Sequence, residues 1–157
     1  MNRIATMLRI GAFLCALPIA IACGNESTDA WDSPDRIEEC SLLTDAEVTA
    51  AIGPHGAPEM DMLFGGCAWH AQVPPTENGF RPGVVVAVVP AVAYEQVAHV
   101  GEPVDGFGAG ATYDSTWGEL WFRCRGDMHC GLKIDISDPD ERAATARRLG
   151  LLVKSRA

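Results

Sequence analysis

Six cysteines and four histidines are the side chains of this chain with the widest choice of chemistry. Cysteine can form a disulfide, bind a metal, attack a substrate or carry a lipid, and histidine can bind a metal or move a proton. Cys67 and His70 have a Cys-x-x-His spacing, and Cys124, His129 and Cys130 could add further ligands. Zinc binding is therefore one candidate, although the paired Cys-x-x-Cys spacing typical of structural zinc sites is absent from the sequence.

Catalysis is not indicated by the spacing of these residues. The histidines are scattered along the chain, at His55, His70, His99 and His129. No Ser or Cys partner is evident for them, and the acids Glu59 and Asp61 fall in a predicted loop without a recognisable pocket. Because a Ser-His-Asp set is defined by geometry and not by inventory, a hydrolase is the least favoured alternative. The sequence predicts no enzyme, no metal site and no cofactor.

The first 22 residues have the layout of a bacterial secretory signal. Arg3 and Arg9 precede an apolar run over 10–22, and no acid is present. The run is about 13 residues long, whereas a helix that spans a bilayer needs about 20. We predict a cleaved signal peptide over 1–22.

Cys23 follows this segment directly. Residues 20–24, Ala-Ile-Ala-Cys-Gly, resemble the lipobox of bacterial lipoproteins, in which the cysteine thiol takes a diacylglycerol and the chain is cut before it. Ala20 departs from the usual Leu, and ordinary signal peptidase would cut the same bond and release a soluble protein. Cysteine parity favours the lipid, because Cys15 leaves with the signal and acylation of Cys23 leaves four cysteines for two bridges. We predict lipid attachment at Cys23 and a domain on the extracytoplasmic side of the cell membrane or outer membrane.

The four remaining cysteines are predicted to form two disulfides, the default in an oxidising compartment. Cys124 and Cys130 bracket the end of a predicted hairpin and should face each other across it. Cys40 can then pair with Cys67. Metal binding by these cysteines remains the minor alternative.

The net charge restricts the partners. The chain carries a formal charge of −9, and removal of the signal with its two arginines makes it −11. Nucleic acid selects basic surfaces, so we predict no nucleic-acid partner and an attachment that rests on acyl chains. Residues 24–39 contain six acids and little apolar sequence, which predicts a flexible tether over 23–39. Trp31 in this tether is expected at the lipid interface, or else as an exposed residue or one packed against the domain.

Residues 40–157 predict one α+β domain with three helices. Thr44 and Glu47 form a capping box at the start of a helix over 45–52. A middle helix is predicted over 91–100, with Val97 and Val100 inward, and a closing helix over 139–153 that begins with an Asp-Pro cap. Strands are predicted near 66–73, 84–89, 112–117, 119–124 and 130–137. Because the connections are mostly local hairpins, we expect an antiparallel sheet of about five strands with the helices packed on it.

Two further motifs have simple interpretations. The glycine-rich segment 106–110 is predicted to be a turn into the next strand, because it has no P-loop Lys and no following helix. The tripeptide 125–127, Arg-Gly-Asp, is interpreted as a coincidence with the integrin-binding sequence.

Three segments resemble a known family. They are 40–48 (Cys-Ser-Leu-Leu-Thr-Asp-Ala-Glu-Val) with Gly53, 67–69 (Cys-Ala-Trp), and 104–111 (Val-Asp-Gly-Phe-Gly-Ala-Gly-Ala). Together they are similar to small actinobacterial cell-envelope lipoproteins whose domain has no assigned function, over about 40–137. The resemblance implies a lipid anchor, a disulfide between the two early cysteines and a helix-flanked antiparallel sheet. Phe107 and Ala109 depart from the family's Gly-Leu-Gly-Asp pattern, and the late cysteine pair is not part of the resemblance.

The sequence therefore predicts a non-enzymatic envelope lipoprotein that binds a protein partner or a small apolar or cell-wall ligand. A structural or accessory subunit of an envelope complex is the alternative. An exposed aromatic patch with Trp117 or Trp121 would favour a protein partner, and an apolar cavity between sheet and helix would favour a small ligand.

Overall fold

A computed structural model of the chain describes residues 39–97 and 101–157. The predicted signal peptide, Cys23, Trp31 and most of the predicted tether lie outside these residues, as do His99, Val100 and the side chain of Val97. In the described part of the chain, no helix combines the length and the hydrophobicity that a membrane span requires.

Within the described residues the chain forms three α-helices and seven strands. The helices are α1 (Asp45–Ile52), α2 (Ala91–Val97) and α3 (Pro139–Arg156). The strands are β1 (Glu59–Met60), β2 (Cys67–His70), β3 (Gly83–Pro90), β4 (Glu102–Pro103), β5 (Thr112–Asp114), β6 (Glu119–Arg123) and β7 (Met128–Asp135). The predicted α+β class, with an N-terminal and a C-terminal helix, is confirmed.

One antiparallel sheet contains all seven strands, in the order β1-β2-β3-β7-β6-β5-β4. Two meanders, β1 to β3 and β4 to β7, meet where β3 pairs with β7 along its full length. The predicted count of about five strands was too low, because β1 and β4 are edge strands of only two residues. Such short strands carry no periodic pattern in the sequence, and short edges limit pairing with other chains.

The predicted helix caps are present. The Thr44 hydroxyl accepts a hydrogen bond from the Glu47 backbone N–H at 3.3 Å, and the Glu47 carboxylate accepts one from the Thr44 N–H at 2.8 Å. Asp138 accepts from the Glu141 N–H at 2.8 Å and begins α3, which ends three residues beyond the predicted boundary. Because both caps satisfy free N–H groups of the first turn, they fix where α1 and α3 begin.

The main core lies between one face of the sheet and the helices α1 and α3. The sheet contributes Val84, Val86, Leu120, Phe122, Leu132 and Ile134, and the helices contribute Val48, Ala146, Leu149 and Val153, all fully buried. Gly150 allows α3 to approach closely, because a Cβ atom there would lie 2.5 Å from Leu120 Cδ2. Close packing of this kind fills the layer with side chains.

A second, smaller core covers half of the opposite sheet face. Its buried members are Phe64, Ala68, Val85, Ala87, Val89 and Trp121, and Ala93 and Tyr94 of α2 pack against them. The Trp121 ring lies over Gly131, where a Cβ atom would come within 2.4 to 2.8 Å of three ring carbons. Phe64 and Tyr94 contact the same ring, with centroids 5.0 and 5.4 Å away. Gly131 is therefore required for the tryptophan to lie flat on the sheet.

Both predicted disulfides are present. Cys40 is bonded to Cys67 with a Cα–Cα distance of 5.2 Å, and Cys124 is bonded to Cys130 with a Cα–Cα distance of 5.7 Å. The first ties the segment before α1 to β2, and the second closes the hairpin between β6 and β7. These sulfurs are therefore not available as the thiolate ligands that the zinc alternative requires.

Candidate functional site

The turn between β5 and β6 presents a large aromatic side chain to solvent. Asp114 ends β5, and its carboxylate accepts hydrogen bonds from the backbone N–H groups of Thr116 and Trp117 at 2.8 and 3.2 Å. Gly118 has a φ of 68°, a conformation that favours glycine, and leads into β6. The Trp117 side chain at the tip remains 50% exposed. The local sequence therefore builds a defined turn with an exposed indole.

Two other elements hold this turn in place. The Ile134 N–H of β7 donates to the Gly118 carbonyl at 3.0 Å, and Arg142 of α3 donates from Nη2 to the Ser115 carbonyl at 2.8 Å. The backbone of Gly118 lies so close to β7 that an added Cβ atom would be 2.4 Å from the Ile134 carbonyl oxygen. The turn carrying Trp117 is thus fixed from the sheet on one side and from α3 on the other.

Charged side chains occupy the rest of the sheet face that carries the second, smaller core. Lys133 and Asp135 point to this face from β7, with Nζ and Oδ2 3.8 Å apart, and Glu119 lies opposite Lys133 on β6. Burial raises the pKa of Asp135, while the Lys133 ammonium acts in the opposite direction. The side chains of Lys133 and Asp135 are only 28 and 33% exposed, respectively. A partner with complementary charge would contact groups that are already partly desolvated.

An acid and a histidine from the sequence analysis meet at the outer edge of this face. His70 Nε2 of β2 lies 3.3 Å from Glu59 Oε1. Glu59 was expected in a loop but lies in β1. The Asp61 carboxylate accepts hydrogen bonds from the backbone N–H groups of Leu63 and Phe64. Over residues 39–97 and 101–157, no cluster of three or more His, Cys, Asp or Glu side chains is placed to hold a metal ion.

The two candidate aromatic residues have different environments. Trp121 is only 1% exposed, and its indole N–H donates to Glu119 Oε2 at 3.3 Å, so it cannot form an exposed patch with Trp117. The strand pattern could not indicate this burial, because alternation places Trp121 on the sheet face opposite Leu120 and Phe122, where Phe64 and Tyr94 cover it. Arg142 was not anticipated, because its contact with Ser115 joins residues 27 positions apart.

The two loop motifs occupy turns. In the 106–110 segment, Gly106, Gly108 and Gly110 have positive φ values, and the intervening Phe107 is buried with its ring 5.1 Å from that of Phe122. Arg125, Gly126 and Asp127 are exposed at the turn between β6 and β7, where the Met128 N–H donates to the Arg125 carbonyl at 2.9 Å. The 106–110 segment thus precedes β5 as a turn, as predicted.

Comparisons of the whole chain with protein-family models, with curated proteins and with solved structures give no match. The resemblance to actinobacterial envelope lipoproteins therefore stays a prediction that rests on three short sequence segments. Lipid attachment at Cys23 also stays a prediction, since this residue lies outside the described part of the chain.

Proposed function

We propose that this chain is an envelope lipoprotein, anchored through Cys23, whose domain binds a protein partner without catalysing a reaction. The exposed Trp117 on a fixed turn is the observation that supports this proposal. Tryptophan is among the residues most enriched at the energetic centres of protein interfaces. A turn that is already held by hydrogen bonds loses little conformational freedom when a partner binds it.

The charged residues at the same end of the sheet suggest what the partner presents. Asp135 and Lys133 are partly buried, and Asp114 lies nearer the Trp117 turn; Glu119 stands between them but is buried and accepts the Trp121 indole N–H. With two accessible acids, Asp114 and Asp135, and one base, Lys133, in this row, the complementary surface has an apolar pocket for the indole and basic groups around it.

A small apolar ligand between sheet and helices has less support. The side chains of that layer are fully buried and interlocked, and Gly150 already brings α3 into contact with Leu120 and Phe107. A ligand placed there would have to displace core side chains, each of which contributes about 1.5–3 kcal/mol of burial. An accessory subunit of an envelope complex remains the alternative, and it would use the same protein-binding surface.

The anchor is tested by growing producing cells with a labelled fatty acid. We expect the wild type to take up the label and fractionate with membranes, and Cys23→Ser to remain unlabelled. An unlabelled wild-type protein found in the medium would contradict the anchor and favour ordinary signal-peptidase cleavage.

The partner surface is tested with a photo-crosslinking amino acid at position 117 in the native envelope. Position 151 is the matched control, because Leu151 on α3 is 53% exposed, close to the 50% of Trp117. We expect a specific protein to be crosslinked from 117 and not from 151. Trp117→Ala should then weaken binding by about 30-fold, the scale of an interface hot spot. Identical crosslinks from both positions, or recovery of lipid alone, would refute a protein-binding role for Trp117.

A further inference from the structure

The described domain begins at one end of the sheet. Glu39 is buried, and its Oε1 accepts the backbone N–H of Val88 at 3.2 Å, near the end of β3. Cys40 is then bonded to Cys67, the first residue of β2. Cys67 pairs with Val86 in the second half of β3, so the first described residues, Glu39 and Cys40, lie at this side of the sheet, named here the Glu39 end.

The turn between β1 and β2 projects from the Glu39 end. It spans 61–66, and the Asp61 N–H donates to the Gly66 carbonyl at 3.0 Å. The Asp61 carboxylate also accepts the N–H of Leu63 at 3.0 Å and that of Phe64, whose ring is buried against Trp121. With Phe64 fixed in the second core and Asp61 bonded to the backbone, the two residues between them point outward.

Exposed apolar side chains are concentrated at this end. Seven large apolar side chains of the described residues are strongly exposed, namely Met60, Met62, Leu63, Val73, Val92, Trp117 and Leu151. Met62 and Leu63 are the most exposed, at 82 and 93%. Met60 precedes them in β1, and Val92 lies at the start of α2, two residues after the end of β3. Four of the seven therefore lie at or near the Glu39 end.

We propose that the Met62–Leu63 tip inserts into the lipid surface and seats the domain on the membrane by its Glu39 end. This inference rests on the lipid anchor of the proposed function. The 15 residues from 24 to 38 span at most about 50 Å, so the anchor keeps the tip close to lipid at a high effective concentration. One anchor is made more stable by a second membrane contact, and apolar side chains supply it where the net charge of −11 of the mature chain cannot.

The seating also orients the proposed partner surface. Strand β6 runs from Glu119, next to the Trp117 turn, to Arg123 near the Glu39 end. Five strand residues cover about 17 Å along the sheet. A domain seated by Met62 and Leu63 therefore holds Trp117 at its far end, facing away from the lipid.

The test measures oxidation of single side chains by hydroxyl radicals, with mass spectrometry as the readout. The mature lipidated chain is placed in phosphatidylcholine vesicles, with and without phosphatidylglycerol, and compared with the mature Cys23→Ser chain free in solution. We expect oxidation of Met62 to fall by roughly fivefold in both vesicles, as for a tip inserted about four-fifths of the time. Trp117 should keep its solution rate. Leu63→Asp should restore oxidation of Met62 without loss of vesicle binding, whereas the control Leu151→Asp should leave the protection intact.

The outcomes separate this inference from the anchor. A chain that floats with vesicles while Met62 is oxidised at the solution rate would overturn the insertion and leave the anchor standing. A wild type that neither takes up fatty acid nor floats would overturn the anchor itself. Protection of Met62 in native envelope membranes but not in pure lipid vesicles would assign the tip to a protein contact and refute the lipid assignment.

Discussion

The ion pair between Glu47 and Arg156 joins the beginning of α1 to the end of α3, and its removal should have a pH-dependent cost. Arg156 donates from Nη1 and Nη2 to the two carboxylate oxygens, each at 2.7 Å, and from Nη1 also to the Leu42 carbonyl at 2.8 Å. The same carboxylate accepts the Thr44 N–H of the capping box. One side chain thus connects both helices that cover the main core.

The magnitude follows from the pKa of Glu47. The hydrogen bonds from Arg156, with help from the Thr44 backbone N–H, lower this pKa from 4.5 to about 2. A shift of that size corresponds to about 3 kcal/mol of folding stability at neutral pH. Because the Glu47 and Arg156 side chains stay 21 and 33% exposed, solvent screening reduces the expected contribution to about 1–2 kcal/mol.

The sign of the pH dependence is determined by the lowered pKa. A carboxyl whose pKa is lower in the folded state stabilises the protein above the unfolded value of 4.5, and this stability is lost as pH falls toward about 2. Glu47→Gln keeps an acceptor for the capping box but removes the charge. The variant should therefore be less stable than the wild type at pH 7 by about 1–2 kcal/mol, and the difference should shrink between pH 4.5 and 2.

Urea unfolding of both proteins across this pH range measures the difference directly. Glu141→Gln is the control, because Glu141 holds the equivalent position in α3 and is exposed, so its replacement should cost less than about 0.5 kcal/mol. A destabilisation by Glu47→Gln that is equally large at pH 7 and pH 2 would refute the ion-pair reasoning, since the lost energy would then come from packing.

Two other changes test the packing and the disulfide. Gly131→Ala should destabilise the domain by about 1–3 kcal/mol in urea unfolding, because the new methyl group would overlap the Trp121 ring, whereas Gly56→Ala, with open space around it, should be close to neutral. Joint replacement of Cys40 and Cys67 by Ala should cost about 3.5 kcal/mol, the chain-entropy value for a bridge over 27 positions. A fully stable Gly131→Ala protein would show that Trp121 does not need the space, and a fully stable double cysteine variant would show that the bridge does not constrain the unfolded chain.

Local signals in the sequence predicted the regular elements well. The capping residues Thr44 and Asp138 placed the starts of α1 and α3, because hydrogen bonds within one turn decide where a helix begins. The continuous apolar run of β3 indicated a central strand, and the structure pairs it on both sides. The disulfide partners followed from hairpin spacing and elimination.

Features that depend on distant contacts were not predictable in this way. The edge strands β1 and β4 exist because neighbouring strands offer hydrogen bonds, and two residues contain no pattern of their own. The fixed Trp117 turn depends on Arg142 in α3, and the partial burial of Asp135 depends on residues from other strands. Sequence reasoning could name Trp117 as a candidate, but only the fold shows that its turn is held rigid.

The junction of β3 with β7 has a consequence for how the chain folds. Each meander is local, yet the two strands that join them pair Val85 with Lys133, 48 positions further along the chain. Because so long a loop must close before the pairing stabilises it, we expect this pairing to be the slow step of folding. The first meander, with Cys67, precedes β7 along the chain, so one edge of β3 stays unpaired until β7 reaches it. Conditions that delay the folding of the second meander should therefore favour aggregation through the valines of β3, most of which are buried only once the domain is complete.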